Sequence, residues 1–365
     1  MKNILITGGA GFIGSRVALK LISKGYKVTV LDNLSKQIHG ENASIPKTLK
    51  GKVNFIFGDV RNKSDWKVAL DKQDAVIHLA AETGTGQSMY EIHKYTDVNI
   101  SGTSHLLEIL TNESHTIKKM VVASSRAIYG EGKYICNKHG DVYPVTRVDE
   151  DMANQEFNPK CPKCGQELHL IGTDEKSAIH PNSVYGITKQ VQEQMVLSVG
   201  KALAIPAVAL RYQNVYGPGQ SLSNPYTGIL SIFSTRIKNG NDINIFEDGK
   251  ESRDFVYIDD IVEGTILALE NERANFEVYN IGSGVPTDVL KVSKTLIEAY
   301  NSDSQITITG NYRIGDIRHN YADLEKIKVE LGFEPKFSFE EGISLFVDWV
   351  NEQEIKEDLY DKSIA

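Results

Sequence analysis

The chain is poor in cysteine, with three in 365 residues, and holds only two tryptophans. Three cysteines cannot build the even-numbered disulfide framework of a small secreted domain, and in a reducing compartment such residues more often hold metal. An apolar run long enough to cross a bilayer, about 20 residues, is missing. So is a dense basic block. Lys and Arg number 40 against 48 Asp and Glu, a net charge of −8, which excludes the electrostatic footprint of a nucleic-acid binder. Residues 1–7 lead straight into a glycine turn without the charged, apolar and small-residue succession of a signal peptide, so the cytoplasm is the expected compartment and no membrane partner is expected. Internal repeats and low-complexity tracts are absent too.

What is present is enough apolar material, 41% of residues, for one large or two closely joined domains. Residues 3–7 are a short apolar run, followed by Gly8-Gly9-Ala10-Gly11-Phe12-Ile13-Gly14 and then an amphipathic segment. This order predicts strand, glycine turn and helix. Glycines at 8, 11 and 14 let the backbone turn tightly and approach a pyrophosphate, while the helix N-terminus offers unpaired N–H groups to the phosphates. A second strand over 27–31 ends on Asp32, 18 residues after Gly14, with Asn33 beside it. A carboxylate there accepts both ribose hydroxyls of an adenosine and repels a 2′-phosphate, which favours NAD over NADP. Lys36, nearby, is the one residue that argues the other way.

Apolar runs recur at 53–57, 75–81 and 119–125, separated by segments of helical period such as 98–110. Alternating strands and helices predict a parallel, doubly wound sheet, whose ligands bind beyond the carboxyl ends of the strands. The residues at those ends are Asp59-Val60, Leu79-Ala80-Ala81-Glu82-Thr83 and Ser124-Ser125-Arg126. Further on, Tyr185 and Lys189 stand one helical turn apart at the start of a segment of helical period. An ammonium on the same face can draw a tyrosine pKa of about 10 towards neutrality and make the phenol a proton acceptor.

Between 131 and 180 the pattern changes, with little helical or strand period and all three cysteines. Cys136 and His139 form one ligand pair and Cys161 and Cys164 another, each separated by two residues. Such spacing suits a closed tetrahedral Zn²⁺ site in a zinc-ribbon-like insertion, with no open position for catalysis. His169 is the rival fourth ligand.

Taken in order, residues 8–14, Asp32, Asp59-Val60, His78-Leu79-Ala80-Ala81, Asn99, Ser124-Ser125 before Tyr129-Gly130, and Tyr185-x-x-x-Lys189 resemble the extended short-chain dehydrogenase/reductases. Within them they are most similar to the NAD-dependent nucleotide-sugar epimerase/dehydratase group, over nearly the whole chain. The resemblance implies a Rossmann-type α/β domain over 1–205, carrying the insertion. A smaller α/β domain for the nucleotide sugar would occupy 206–365, with some chain returning to the first domain. It implies that Ser125 hydrogen-bonds the sugar hydroxyl, that Tyr185 is the acid/base, and that Lys189 holds the nicotinamide ribose while acidifying Tyr185. Asn99 would brace the helix beside the cofactor site. Glu82, Thr83, Arg126 and Asn214 would meet the substrate, with Arg253 and Arg313 on its diphosphate. Helices near 98–112 and 185–203 would form a homodimer.

One departure narrows the chemistry. Dehydratases of this group carry Asp-Glu after the hydroxyl residue, where this chain has Arg126-Ala127. Without those carboxylates the expected reaction is reversible oxidation of one carbinol, as in a nucleotide-sugar 4-epimerase. UDP-hexose epimerases and 4-keto-sugar reductases share the same residues.

Overall fold

A computed structural model describes residues 1–354 other than 42, 223, 225 and 227. The chain is polar from about Glu354, a composition that predicts fraying, and residues 355–365 lie outside the described residues. Seven strands form the central sheet: β1 (Asn3–Thr7), β2 (Lys27–Asp32), β3 (Asn54–Phe57), β4 (Ala75–His78), β5 (Lys119–Ser125), β6 (Ala207–Tyr212) and β7 (Val278–Ile281). Their order is β7-β6-β5-β4-β1-β2-β3, and every neighbouring pair is parallel. This is a Rossmann-type sheet, reversing direction between β1 and β4.

The apolar runs are continuous because both faces of the sheet are covered. Ile4 and Ile6 point into one hydrophobic cluster, with Val17 of helix Phe12–Ser23 and Ile261 of helix Ile258–Glu270. Leu5, between them, points into the other, with Leu106 of helix Gly102–Asn112 and Val196 of helix Val184–Ala202. Each fully buried aliphatic side chain contributes about 1.5–3 kcal/mol. No described helix is long and apolar enough to cross a membrane.

β7 enters the central sheet from late in the sequence. The remaining strands build small sheets beside it. Asn214–Tyr216, Ser252–Tyr257, Pro286–Asp288 and His319–Asn320 form one, and Ile243–Ile245 pairs with Ile306–Ile308. In the insertion, Tyr134–Cys136 pairs antiparallel with Gly140–Val142 and His169–Leu170. These strands of two or three residues are too short to show a period of two, which is why the sequence pattern looks irregular there.

Candidate active site

A cleft of about 970 Å³ runs along the carboxyl ends of the central strands. At one end lies the turn after β1. Gly8 has φ +66°, and a Cβ on it would stand 2.8 Å from the Ala80 nitrogen; one on Gly14 would stand 2.2 Å from the Gly8 oxygen. Only glycine lets β1, β4 and the first helix approach this closely. Gly11, Phe12, Ile13 and Val60 line the same end, with Leu79, Ala80 and Ala81 along its floor.

Asp32 closes this end. Its carboxylate accepts from the Ala10 and Leu34 backbone nitrogens, each at 2.9 Å, so its orientation is fixed before any ligand arrives. Asn33 donates to Asp59 at 2.9 Å, and Arg61 makes a two-point contact with Asp59 at 3.0 and 2.8 Å. Burial alone would raise the Asp59 carboxyl, but these hydrogen bonds and the Arg61 charge bring it down to about 2. Lys36 turns away to Glu41 at 2.9 Å, both side chains about three-quarters exposed, and leaves the surroundings of Asp32 suited to a free ribose 2′-hydroxyl.

At the other end the cleft is lined by Ser125, Arg126, Tyr185, Lys189 and Asn214, with Glu82 and Thr83 also on its wall. Helix Val184–Ala202 starts here because the Ser183 side chain caps it, accepting from the Gly186 nitrogen at 3.1 Å. A Cβ on Gly186 would stand 2.6 Å from the Ala127 oxygen. That close packing sets Tyr185 beside the end of β5. Burial pushes the Tyr185 phenol up, while a hydrogen bond with Ser125 and the charge of Arg126 pull it down. Arg126 thus stands beside Lys189 as a second cation near the phenol. Lys189 donates to Gln192 Oε1 at 2.7 Å, and burial pushes its ammonium down to about 7 against the pull of Glu193. Arg126 donates to Asn214 at 3.0 Å.

Three expected site residues do not line the cleft. Asn99 is buried behind it, accepting from the Glu82 nitrogen at 2.8 Å and donating to Thr188 at 2.9 Å. It holds the cleft wall to the catalytic helix, as a brace. Arg253 donates to the carbonyls of Ser252, Arg318 and Ile317 at 2.8–3.0 Å. Arg313 is exposed and lies over the Phe246 ring, 4.9 Å from its centroid.

Sequence reasoning passed over Arg318, which is 1% exposed. It reaches Glu247 at 2.8 Å, Asp248 at 2.9 Å and Asn158 at 3.0 Å, and its backbone nitrogen donates to Glu131. Arg147 makes a two-point contact with the same Glu247 at 2.7 and 2.8 Å. This buried network clasps the insertion to the later part of the chain. No local pattern announces it, since its ion-paired residues lie 71 and 100 positions apart.

In the insertion, the ligand atoms of Cys136, His139, Cys161 and Cys164 all lie within 4.8 Å of one another. His169 belongs to a strand outside this cluster.

The family model described as the NAD dependent epimerase/dehydratase family matches residues 4–150 and 162–282. The intervening 151–161 falls inside the insertion. A dTDP-L-rhamnose 4-epimerase from Burkholderia thailandensis is 36% identical over 354 residues, covering 96% of each chain. A putative UDP-glucose 4-epimerase from Methanocaldococcus jannaschii is 32% identical over 349 residues, 95% of this chain and 98% of that one. Among solved structures, the Thermotoga maritima UDP-glucose 4-epimerase with UDP-glucose aligns at TM-score 0.78 and 33% identity, covering 96% of this chain and 99% of that one. The Bacillus cereus UDP-glucuronic acid 4-epimerase, in complex with UDP-glucuronic acid and NAD, aligns at TM-score 0.77 and 26% identity with the same coverage. With the match spanning both the glycine turn and the Tyr185–Lys189 helix, the chain belongs to the NAD-dependent epimerase/dehydratase family.

Proposed function

We propose that this enzyme is a nucleotide-sugar 4-epimerase that uses NAD and acts on dTDP-L-rhamnose. The observation that carries the reading is one cleft with a glycine turn and Asp32 at one end and Ser125, Tyr185 and Lys189 at the other. NAD fits: the glycine turn, kept tight by Gly8 and Gly14 and lining the cleft at the start of the first helix, would hold the phosphates, Asp32 would hold the adenosine ribose, and Asp59 the adenine amino group. When bound, NAD would supply a reversible hydride acceptor at C4, so that the sugar leaves with no net redox change.

Tyr185 takes the C4 hydroxyl proton as the carbinol is oxidised and gives it back on reduction. Ser125 hydrogen-bonds the same hydroxyl and orients it. Lys189 holds the nicotinamide ribose and acidifies Tyr185, with Arg126 as a second charge that favours the phenolate. Asn214, Arg126, Glu82 and Thr83 hold the nucleotide sugar while its 4-keto form turns. Elimination of water needs a carboxylate beside the sugar. The cleft carboxylate on that side, Glu82, pairs with Lys94 at 3.4 Å, and Arg126 follows Ser125. The choice of sugar rests on the 36% identity to the Burkholderia relative.

The test is incubation with dTDP-L-rhamnose, UDP-glucose and UDP-GlcNAc without added NADH, followed by NMR. The C4 stereoisomer of dTDP-L-rhamnose is expected. Product formed only with stoichiometric NAD(P)H makes the enzyme a reductase, and turnover of a UDP-sugar alone moves the substrate.

The Cys/His cluster fits a structural zinc. Zn–S bonds of about 2.3 Å at tetrahedral angles set sulfur–sulfur edges of about 3.8 Å and sulfur–nitrogen edges of about 3.6 Å. The measured edges are 3.8 Å for Cys136–Cys164, 3.6 Å for Cys136–His139 and 3.5 Å for Cys161–His139. Four protein ligands leave the ion no catalytic position, so its work is to fold a zinc-ribbon-like insertion. Well under one zinc per chain by elemental analysis of protein purified without chelator overturns this. Reduced thiolates and a nucleotide-sugar substrate both suit the cytoplasm. A homodimer through the catalytic helix and its neighbours is supported by Met89, Ile92 and Ile187, which are 55%, 51% and 47% exposed there.

A further inference from the structure

Beneath the cleft, one turn past Lys189, Gln192 is 1% exposed and belongs to neither the motif nor the cleft lining. Its Oε1 accepts from Lys189 Nζ at 2.7 Å and its Nε2 donates to Thr103 Oγ1 at 2.8 Å. An ammonium has only donors, so the amide oxygen must face it and the nitrogen must face Thr103. The Thr103 hydroxyl donates to the Asn99 carbonyl at 2.6 Å. Its oxygen is then left to accept from Gln192 and from His78 Nε2 at 2.9 Å. His78 therefore carries its proton on Nε2, and its Nδ1 accepts from Thr7 Oγ1 at 2.7 Å. Thr7 Oγ1 in turn accepts from the Ala80 nitrogen at 3.2 Å. Gln192 Nε2 also lies 3.4 Å from His78 Nε2; with the proton on Nε2 both atoms are donors, so that contact is not a hydrogen bond and Thr103 Oγ1 is the acceptor the two share. His78 is neutral, as this requires, because burial and the charge of Lys189 push it down to about 3.

We propose that Gln192 is a positioning residue for the redox step: it fixes the Lys189 ammonium and ties it, through Thr103 and His78, to the Thr7–Ala80 contact at the floor of the cofactor cleft. The proposal rests on the NAD-dependent reading of that cleft. The other groups around Lys189 do not replace Gln192. Glu193, on the same helix, is held by Arg211 of β6 at 2.6 and 3.1 Å. His78 of β4 is neutral, and Tyr185 and Arg126 line the same cleft as Lys189 without supplying it an acceptor. Gln192 supplies the neutral oxygen in direct contact with the ammonium, and a hydrogen bond to the charged form favours that form.

Gln192→Leu removes this acceptor with little change of volume, and Gln192→Glu replaces it with a negative one. Lys189 then loses its proton at lower pH in the first variant and at higher pH in the second. The basic limb of the pH profile of kcat is expected to move down by about one unit in Gln192→Leu and up in Gln192→Glu, about tenfold in rate per unit. KM for the nucleotide sugar stays near the wild-type value. NAD affinity measured by calorimetry across pH 6–10 moves the same way. That second readout needs no sugar, so an error in the substrate assignment leaves it intact. Limbs and NAD titrations that stay at the wild-type pH in both variants overturn the proposal, even if the melting temperature falls. If Gln192→Leu does not fold, the upward shift in Gln192→Glu alone decides.

Discussion

The two ends of the cleft are built in different ways. At the cofactor end the backbone does the work: Gly8 and Gly14 make room, and Asp32 is oriented by two main-chain nitrogens. At the sugar end, long side chains do it. Arg126 reaches Asn214, and outside the cleft lining Arg147, Glu247 and Arg318 lock the insertion to the later part of the chain. A backbone-built site confines its demands to residue types that few other roles require, so it shows in the sequence. A side-chain-built site depends on which of many possible partners each residue meets.

The arginines make the point. Arg253 and Arg313 were expected on a diphosphate, and Arg318 was passed over. Residue type alone did not reveal that Arg253 is held by three carbonyls, Arg313 lies on Phe246, and Arg318 is the buried one. The sheet, its parallel order and the placement of Ser125 beside Tyr185 were legible because continuous apolar runs and a capped helix carry them. Gln192 was not legible, since a glutamine after a Tyr-x-x-x-Lys segment reads as helix surface until its amide is found between Lys189 and Thr103. The Cys136–His139 and Cys161–Cys164 pairs were legible as spacing, and the fold of the insertion brings their ligand atoms together while leaving His169 outside the cluster.

The two ends should therefore break separately. Tyr185→Phe removes the group proposed to transfer the proton and should lower kcat by about 10²–10⁴, while NAD affinity by calorimetry stays within about threefold of wild type. Loss of NAD affinity would join the two ends into one unit.

Arg318→Met tests the side-chain-built region directly. It leaves Glu247 and Asp248 without the partner that reaches them at 2.8 and 2.9 Å. Removing one partner from a buried ion network costs about 3–5 kcal/mol, to be read from urea unfolding. A loss below about 1 kcal/mol would mean that the clasp is dispensable.

Gly14→Ala probes the backbone-built end. The new methyl meets the Gly8 oxygen, and the turn must open. Overpacking of this kind costs about 1–3 kcal/mol, and NAD affinity should fall at least tenfold. Unchanged affinity would show that the close approach is incidental to the cofactor.

The smallest effect comes from Glu251, at the edge of the clasp, and its sign is set by pH. Its Oε2 is buried without a hydrogen-bond partner and lies 3.9 Å from Arg318. Burial pushes its carboxyl up to about 7, only partly countered by backbone hydrogen bonding and by Arg318 and Arg253. The folded state thus holds a proton that the unfolded chain, with a carboxyl near 4.3, has released. Between about pH 4 and 7 the folded state binds more protons, so stability falls as pH rises through that window. Gln192's neighbourhood shows a buried cation eased by a neutral amide; here a neutral amide replaces the acid itself. Glu251→Gln keeps the uncharged form at every pH. It should raise stability by about 2–3 kcal/mol more at pH 8 than at pH 5, measured as the difference between two thermal unfolding series. A variant less stable than wild type at pH 8 would show that the ionised carboxylate works as a counter-charge for Arg318, and would add Glu251 to the clasp as a member that must stay charged.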